Sequence, residues 1–161
     1  MKAWGIALAT LVLSACAGTV GRPSLEPGKS TSQDVAKQMG KPALVLDQPG
    51  GGRVEYFTTF PFGRDTYAVS LGADGVVRSV EQRLTQDNVQ KIKAGMKKSE
   101  VLALLGPPRE ETPEPRGENV ILEYPWMTGN ARKRITWVHV SRDGVVQDVV
   151  EREDFEAEPS E

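Results

Sequence analysis

The stretch GKSTSQDVAKQMGKP, residues 28–42, returns further along the chain as GMKKSEVLALLGPP, residues 95–108, one residue shorter. The likeness continues in order beyond both. Val54-Glu55-Tyr56 answers to Leu122-Glu123-Tyr124, and the alternating YAVSL of residues 67–71 to the TWVHV of residues 136–140. Asp74-Gly75-Val76-Val77 then matches Asp143-Gly144-Val145-Val146, followed by Val80 and Arg83 in one copy and Val149 and Arg152 in the other. The spacing between partners drifts only from 66 residues (Pro42, Pro108) to 69 (Asp74, Asp143). An ordered set of matches at nearly constant spacing marks two copies of one structural unit.

Each copy reads the same way physically. Val101, Leu104 and Leu105 recur at i, i+3 and i+4, one face of a helix. Gly106 is suited to a left-handed stop, and Pro107 and Pro108 cannot continue the helix. Val35 and Met39 form the equivalent face in the first copy, stopped by Gly40 and Pro42, with Ser30 or Thr31 available as N-cap. Alternating segments follow. Asp74-Gly75 and Asp143-Gly144 lie between β-branched runs and predict hairpins with type I′ turns. Gly50-Gly51-Gly52 predicts an earlier hairpin between residues 43–47 and 53–59. A further helix is expected over residues 85–93, capped by Thr85, with Val89 and Ile92 inward; the first copy carries a tether at the equivalent place. The predicted fold class is α+β: two tandem units, residues 28–83 and 84–152, each a short helix or helix pair packed on a three- to four-stranded antiparallel meander. Burying a Leu, Ile or Val contributes about 1.5–3 kcal/mol, so units this small are marginal alone and are expected to pack on each other.

The N-terminus carries a different signal. Lys2 precedes residues 3–13, AWGIALATLVL, which hold no charge. As a helix this run rises about 16 Å, roughly half the hydrocarbon thickness of a bilayer. It reads as the apolar core of an export signal over residues 1–15. Leu13-Ser14-Ala15-Cys16 follows, and Cys16 is the single cysteine of the chain, which excludes an intramolecular disulfide. That string resembles the lipobox of bacterial lipoproteins. The resemblance implies lipid on the Cys16 sulfur, cleavage before it, and fatty acylation (palmitate) of the new amine. Each buried CH₂ adds about 0.8 kcal/mol, so two or three chains anchor permanently. Ala17 stands where a retention signal for the inner membrane places Asp, which implies the outer membrane, with the protein on its periplasmic face. Residues 16–27, rich in Gly, Pro and Ser, are expected to form a flexible tether.

Composition removes several functions. A net charge of −2 lacks the basic excess of a nucleic-acid binder. Pro27-Gly28-Lys29-Ser30-Thr31 superficially matches a phosphate-binding loop, but Pro23 occupies the place of its first glycine, and no apolar strand precedes it. His139, the sole histidine, sits in an alternating strand and is expected to point outward, without a second His or a Cys to share a metal. No Gly-x-Ser-x-Gly elbow is present. Glu110-Glu111 and Glu153-Asp154 are neighbours in expected loops and not acid–base pairs. No catalytic residue, metal ligand, cofactor or small-molecule substrate is assigned, and the chain is read as a non-enzyme. Arg132-Lys133-Arg134 is a basic cluster before a strand, open to a solvated loop or to anionic head groups. The acidic tail, residues 153–161, is expected to be disordered past Phe155.

Aromatic residues are the remaining candidates. Tyr56, Phe57, Phe60 and Phe62 in one copy, and Tyr124 and Trp126 in the other, crowd one region of each unit. Strand alternation sends neighbours to opposite faces, so these side chains either pack the units together or form a partner-binding surface.

The run from Ile92 through Gly95-Met96 and Val101 to Leu105-Gly106-Pro107-Pro108 resembles the opening motif of the SmpA/OmlA (BamE-like) outer-membrane lipoprotein family. The pattern is a hydrophobic residue, Gly-Met, a short polar stretch, then a Val/Leu helix ending in Gly-Pro. It covers residues 84–152 well and residues 28–83 weakly. Two departures stand out: two units where the family's assembly factor carries one, and Lys97 where Thr or Ser usually caps the helix. The resemblance implies a protein-binding module in envelope or outer-membrane protein assembly, with outer-membrane assembly proteins as partners. In layout, a tandem of such units is also similar to secreted β-lactamase-inhibitor proteins, which implies the alternative of a membrane-tethered inhibitor or modulator of a periplasmic enzyme.

Overall fold

A computed structural model describes residues 23–115 and 117–154. The export signal, Cys16 and the tail from residue 155 onward lie outside the described residues. In chain order the elements are α1 (Ser32–Met39), β1 (Leu44–Asp47), β2 (Arg53–Thr58), β3 (Thr66–Leu71), β4 (Val77–Gln82), α2 (Gln86–Val89), α3 (Lys98–Leu105), β5 (Glu110–Pro113), β6 (Val120–Met127), β7 (Lys133–Val140) and β8 (Val146–Glu153). The strands form two antiparallel sheets in sequential order, β1-β2-β3-β4 and β5-β6-β7-β8. Two similar α+β units result, as the repeat requires. None of the described helices is long and apolar enough to cross a membrane.

The repeat is most literal in its backbone. Gly28 N–H donates to Val77 O, Val77 N–H to Ser30 O, and Ser32 N–H to Gly75 O; in the second unit Gly95 donates to Val146, Val146 to Met96, and Lys98 to Gly144, all at 2.8 Å. Each helix is thereby clamped at its start to the turn of its unit's last hairpin. That turn is not type I′. Only Gly75 and Gly144 have positive φ, while Gly72 and Ser141 each donate across the loop to the residue four along. This is the three-residue form, in which glycine alone takes the left-handed position, with a register shift beside it.

The helix ends show what residue choice does locally. Thr31 and Asp34 close a capping box: Thr31 N–H donates to the Asp34 carboxylate at 2.8 Å and Asp34 N–H to the Thr31 hydroxyl at 3.4 Å. The Thr31 N–H, together with the Thr31 hydroxyl, which donates to the same carboxylate at 2.8 Å, holds the Asp34 carboxyl below its usual range. In α3 only half of the box exists. Glu100 accepts from Lys97 N–H at 2.6 Å, but an ammonium cannot accept a hydrogen bond in return. Replacing Lys97 by Ser should therefore stabilise the protein by about 1 kcal/mol, seen as a raised urea midpoint with unchanged slope.

Several sequence expectations need correction. The tether ends before residue 25: Leu25 is 8 % exposed and packs in the first core with Val35, Phe57, Val69 and Val77. It stands three residues before Gly28, as Ile92 stands three before Gly95, and both are buried. The extra helix is a single turn, Gln86–Val89, capped by Thr85, although Val89 and Ile92 do face inward. Glu110 and Glu111 lie in β5 and Glu153 in β8, not in loops. Gly40 and Gly106 have positive φ but extended ψ (−139° and −167°), so neither stop is the left-handed helical one.

One correction changes which residues face where. Glu55 pairs with Val69 in the first sheet, and Leu122 with Val138 in the second. Val69 and Val138 are repeat equivalents, so Glu55 corresponds to Leu122, Tyr56 to Glu123, and Phe57 to Tyr124. The match of Tyr56 with Tyr124 is thus one residue out, and in a strand one residue exchanges the two faces.

Candidate functional site

Each sheet has an inner face on its own helices and an outer face turned away from them. On the first outer face lie Tyr56 and Ala68, cross-strand partners, and nearby Thr66. All three are buried. What covers them is the end of α3 from the second unit. Tyr56 Oη donates to Ala103 O at 2.8 Å, and burial pushes its phenol upward. A methyl on Gly106 would lie 2.7 Å from Thr66 Cγ2 and 2.9 Å from Tyr56 Cδ1. The second unit's helix corner thus seats on the first unit's sheet. Phe60 extends the joint by packing on the second core. Arg64 and Asp154 close it with an ion pair at 2.6 Å, their side chains only 9 % and 15 % exposed.

The equivalent face of the second sheet is built differently. Trp137 replaces Ala68, and Glu123 replaces Tyr56. The register sets Glu123, Trp137 and Val150 side by side across β6, β7 and β8, with Ile121, His139 and Asp148 in a parallel row. Trp137, Ile121, His139 and Val150 are half-buried. Trp137 Nε1 donates to Glu123 Oε2 at 3.0 Å, and the Arg152 guanidinium lies 5.4 Å from the ring centroid. Arg109 Nε reaches the other Glu123 oxygen at 2.7 Å. His139 Nδ1 meets the Glu114 carboxylate, which also accepts from Asn119 Nδ2 at 3.3 Å. The His139 bond holds Glu114 below its usual range. The result is an indole fixed in orientation by charged neighbours, with aliphatic side chains beside it.

Such a surface can bind, but it offers no nucleophile poised beside a base. Among the described residues no group of three or more His, Cys, Asp or Glu side chains could hold a metal ion. Most of the aromatic candidates serve the fold. Tyr56, Phe57, Tyr124 and Trp126 are buried, so they are not a surface for a partner. Tyr124 Oη donates to Gly106 O at 3.1 Å, and burial pushes its phenol strongly upward. Trp126 Nε1 donates to Thr136 Oγ1 at 2.9 Å. Phe60 is half-buried in the joint, and Phe62 stands 98 % exposed. In the basic cluster Arg134 pairs with Glu151 and Arg132 with Glu153, which neutralises much of its attraction for head groups. Trp137 was missed although its signal was present: with Val138 and Val140 inward, alternation sends Trp137 outward beside His139.

No family model matches the chain, and no curated protein does. Among solved structures it is similar to a DUF4309 family protein from Bacillus subtilis, at 18% identity over 81% of this chain and 83% of that one, with a TM-score of 0.32. It is also similar to a candidate β-lactamase inhibitor protein from Streptococcus mutans, at 11% identity over 76% of this chain and 82% of that one, with a TM-score of 0.30. Scores this low carry no argument about function. The SmpA/OmlA resemblance accordingly rests on the sequence alone, over residues 84–152 and more weakly over residues 28–83.

Proposed function

We propose that this protein is a lipid-anchored binding module of the bacterial envelope, whose ligand is another protein docked around Trp137 on the outer face of the second sheet. The observation that carries the reading is the inequality of two equivalent faces. The first is closed over Tyr56, Ala68 and Thr66 by the Gly106 corner, whereas the equivalent place on the second, around Trp137, stays half-buried and presents Trp, Arg and branched aliphatic side chains, with the two former among the residues that dominate binding hot spots. Anchoring follows from the lipobox at Cys16, and the outer membrane from Ala17 after it. The SmpA/OmlA-like motif favours outer-membrane protein assembly as the setting. The packing of two units into one body favours the second reading, a tethered inhibitor or modulator of a periplasmic enzyme.

Affinity capture from native membranes distinguishes them. The wild-type chain should recover barrel-assembly subunits, and Trp137→Ala should lose about 2 kcal/mol of binding, a roughly thirtyfold weaker complex. Recovery of a periplasmic hydrolase in their place supports the second reading. Equal recovery by wild type and Trp137→Ala removes this face as the site.

A further inference from the structure

Residues 59–65 join β2 to β3 and carry Phe62 at 98 % exposure on a stiff support. Thr59 N–H donates to Asp65 O at 3.0 Å, Gly63 N–H to Thr59 O at 2.9 Å, and Asp65 N–H to the Thr59 hydroxyl at 3.0 Å. Gln82 Nε2 holds the Asp65 carboxylate at 2.7 Å, Arg64 is engaged by Asp154, and Phe60 is packed on the second core. A loop tied at so many points cannot fold its tip back onto the body, so the Phe62 ring stays outside. The tip itself, Thr59-Phe60-Pro61-Phe62-Gly63, has no charged side chain, and Pro61 brings no N–H. It can leave water without desolvating a charge.

The position of the loop points to what receives it. α1 starts at the β3–β4 turn, where Ser32 N–H meets Gly75 O, and runs toward the other end of the sheet, where Ala43 N–H meets Tyr56 O just before β2 enters the loop. The chain enters the body alongside the later part of this helix, with Ser24 O accepting from Gln38 Nε2 at 3.3 Å. The entry point and Phe62 therefore share an end of the first unit. Pro23 stands seven positions after Cys16, a reach of at most about 25 Å. A body leashed so closely keeps this end near the bilayer. We infer that Phe62 inserts into the lipid interface of the membrane that holds Cys16, giving the protein a second, orienting contact. The inference rests on the anchoring proposed above.

The test uses the mature lipidated chain on phosphatidylcholine–phosphatidylglycerol vesicles with brominated acyl chains. Once Cys16 is lipidated, Phe62→Cys supplies the free thiol for an environment-sensitive dye, and Asp74→Cys places the same dye at the opposite end of the sheet. Emission at residue 62 should fall roughly twofold or more, since interfacial side chains reach about 5–10 Å into the headgroup–acyl boundary, while emission at residue 74 is unchanged. A chain that floats with vesicles but shows no quenching at residue 62, or equal quenching at both positions, overturns the inference alone. So does a residue-62 dye shielded only in native envelopes, which indicates a protein pocket. A wild-type chain that stays in the supernatant and takes the dye on Cys16 overturns the anchoring itself, and the inference with it.

Discussion

Gly106→Ala is expected to lower stability by about 4 kcal/mol, combining backbone strain of about 1–3 kcal/mol with overpacking of similar size. The equivalent change in the first unit, Gly40→Ala, should lose only about 1–2 kcal/mol, because strain acts there alone. Both glycines have positive φ, +84° at Gly106 and +74° at Gly40. What differs is the surroundings. A methyl on Gly40 meets nothing within 4 Å, whereas one on Gly106 strikes Thr66 Cγ2 at 2.7 Å and the Tyr56 ring at 2.9 Å. Thr66 is fully buried and the Tyr56 ring is held through its hydroxyl to Ala103 O, so neither can move aside cheaply. Urea unfolding of the two variants measures the difference. Thr66→Ser, which removes the Cγ2 methyl, should return about 1 kcal/mol to Gly106→Ala. Equal losses at the two glycines would mean that the units do not meet at this corner.

Arg64→Ala should give the next largest loss, about 3 kcal/mol, from breaking a nearly buried pair and leaving one charge uncompensated. Burial decides the magnitude. The Arg142–Glu118 pair has a similar separation, 2.7 Å against 2.6 Å, but its side chains are 73 % and 68 % exposed. Breaking that pair should change stability by under about 0.5 kcal/mol. Asp154→Ala should resemble Arg64→Ala, and the double variant should lose much less than the sum, because each single variant strands the other's charge. Thermal unfolding of the four proteins closes the cycle. Additive losses would show that the two groups are not coupled.

The repeat made most of this fold legible. Helix faces at Val35 and Val101, glycine stops, and Asp-Gly turns are local signals, and each lies where the sequence places it. Leu25 escaped because one apolar residue among Pro, Ser and Glu has no periodicity; only its spacing from Gly28, shared by Ile92 and Gly95, marks it. Tyr56 and Phe57 show the limit more clearly. Strand alternation says that they face opposite ways, but not that the outer face of the first sheet is closed by a helix corner forty-seven residues further on. That closure is a tertiary event, and it turned an apparent aromatic surface into an internal joint. The same event singles out Trp137, whose equivalent position in the first unit is the buried Ala68.

Photo-crosslinking from equivalent outer-face positions of the two sheets, in living envelopes, tests the central claim directly. Val150 neighbours Trp137 across β7 and β8, as Glu81 neighbours Ala68 across β3 and β4. A photoreactive residue at position 150 should yield a discrete protein adduct that disappears in Trp137→Ala, and one at position 81 should yield none. An adduct from position 81 alone, or no adduct from position 150, would contradict the assignment of the second sheet's outer face as the docking surface.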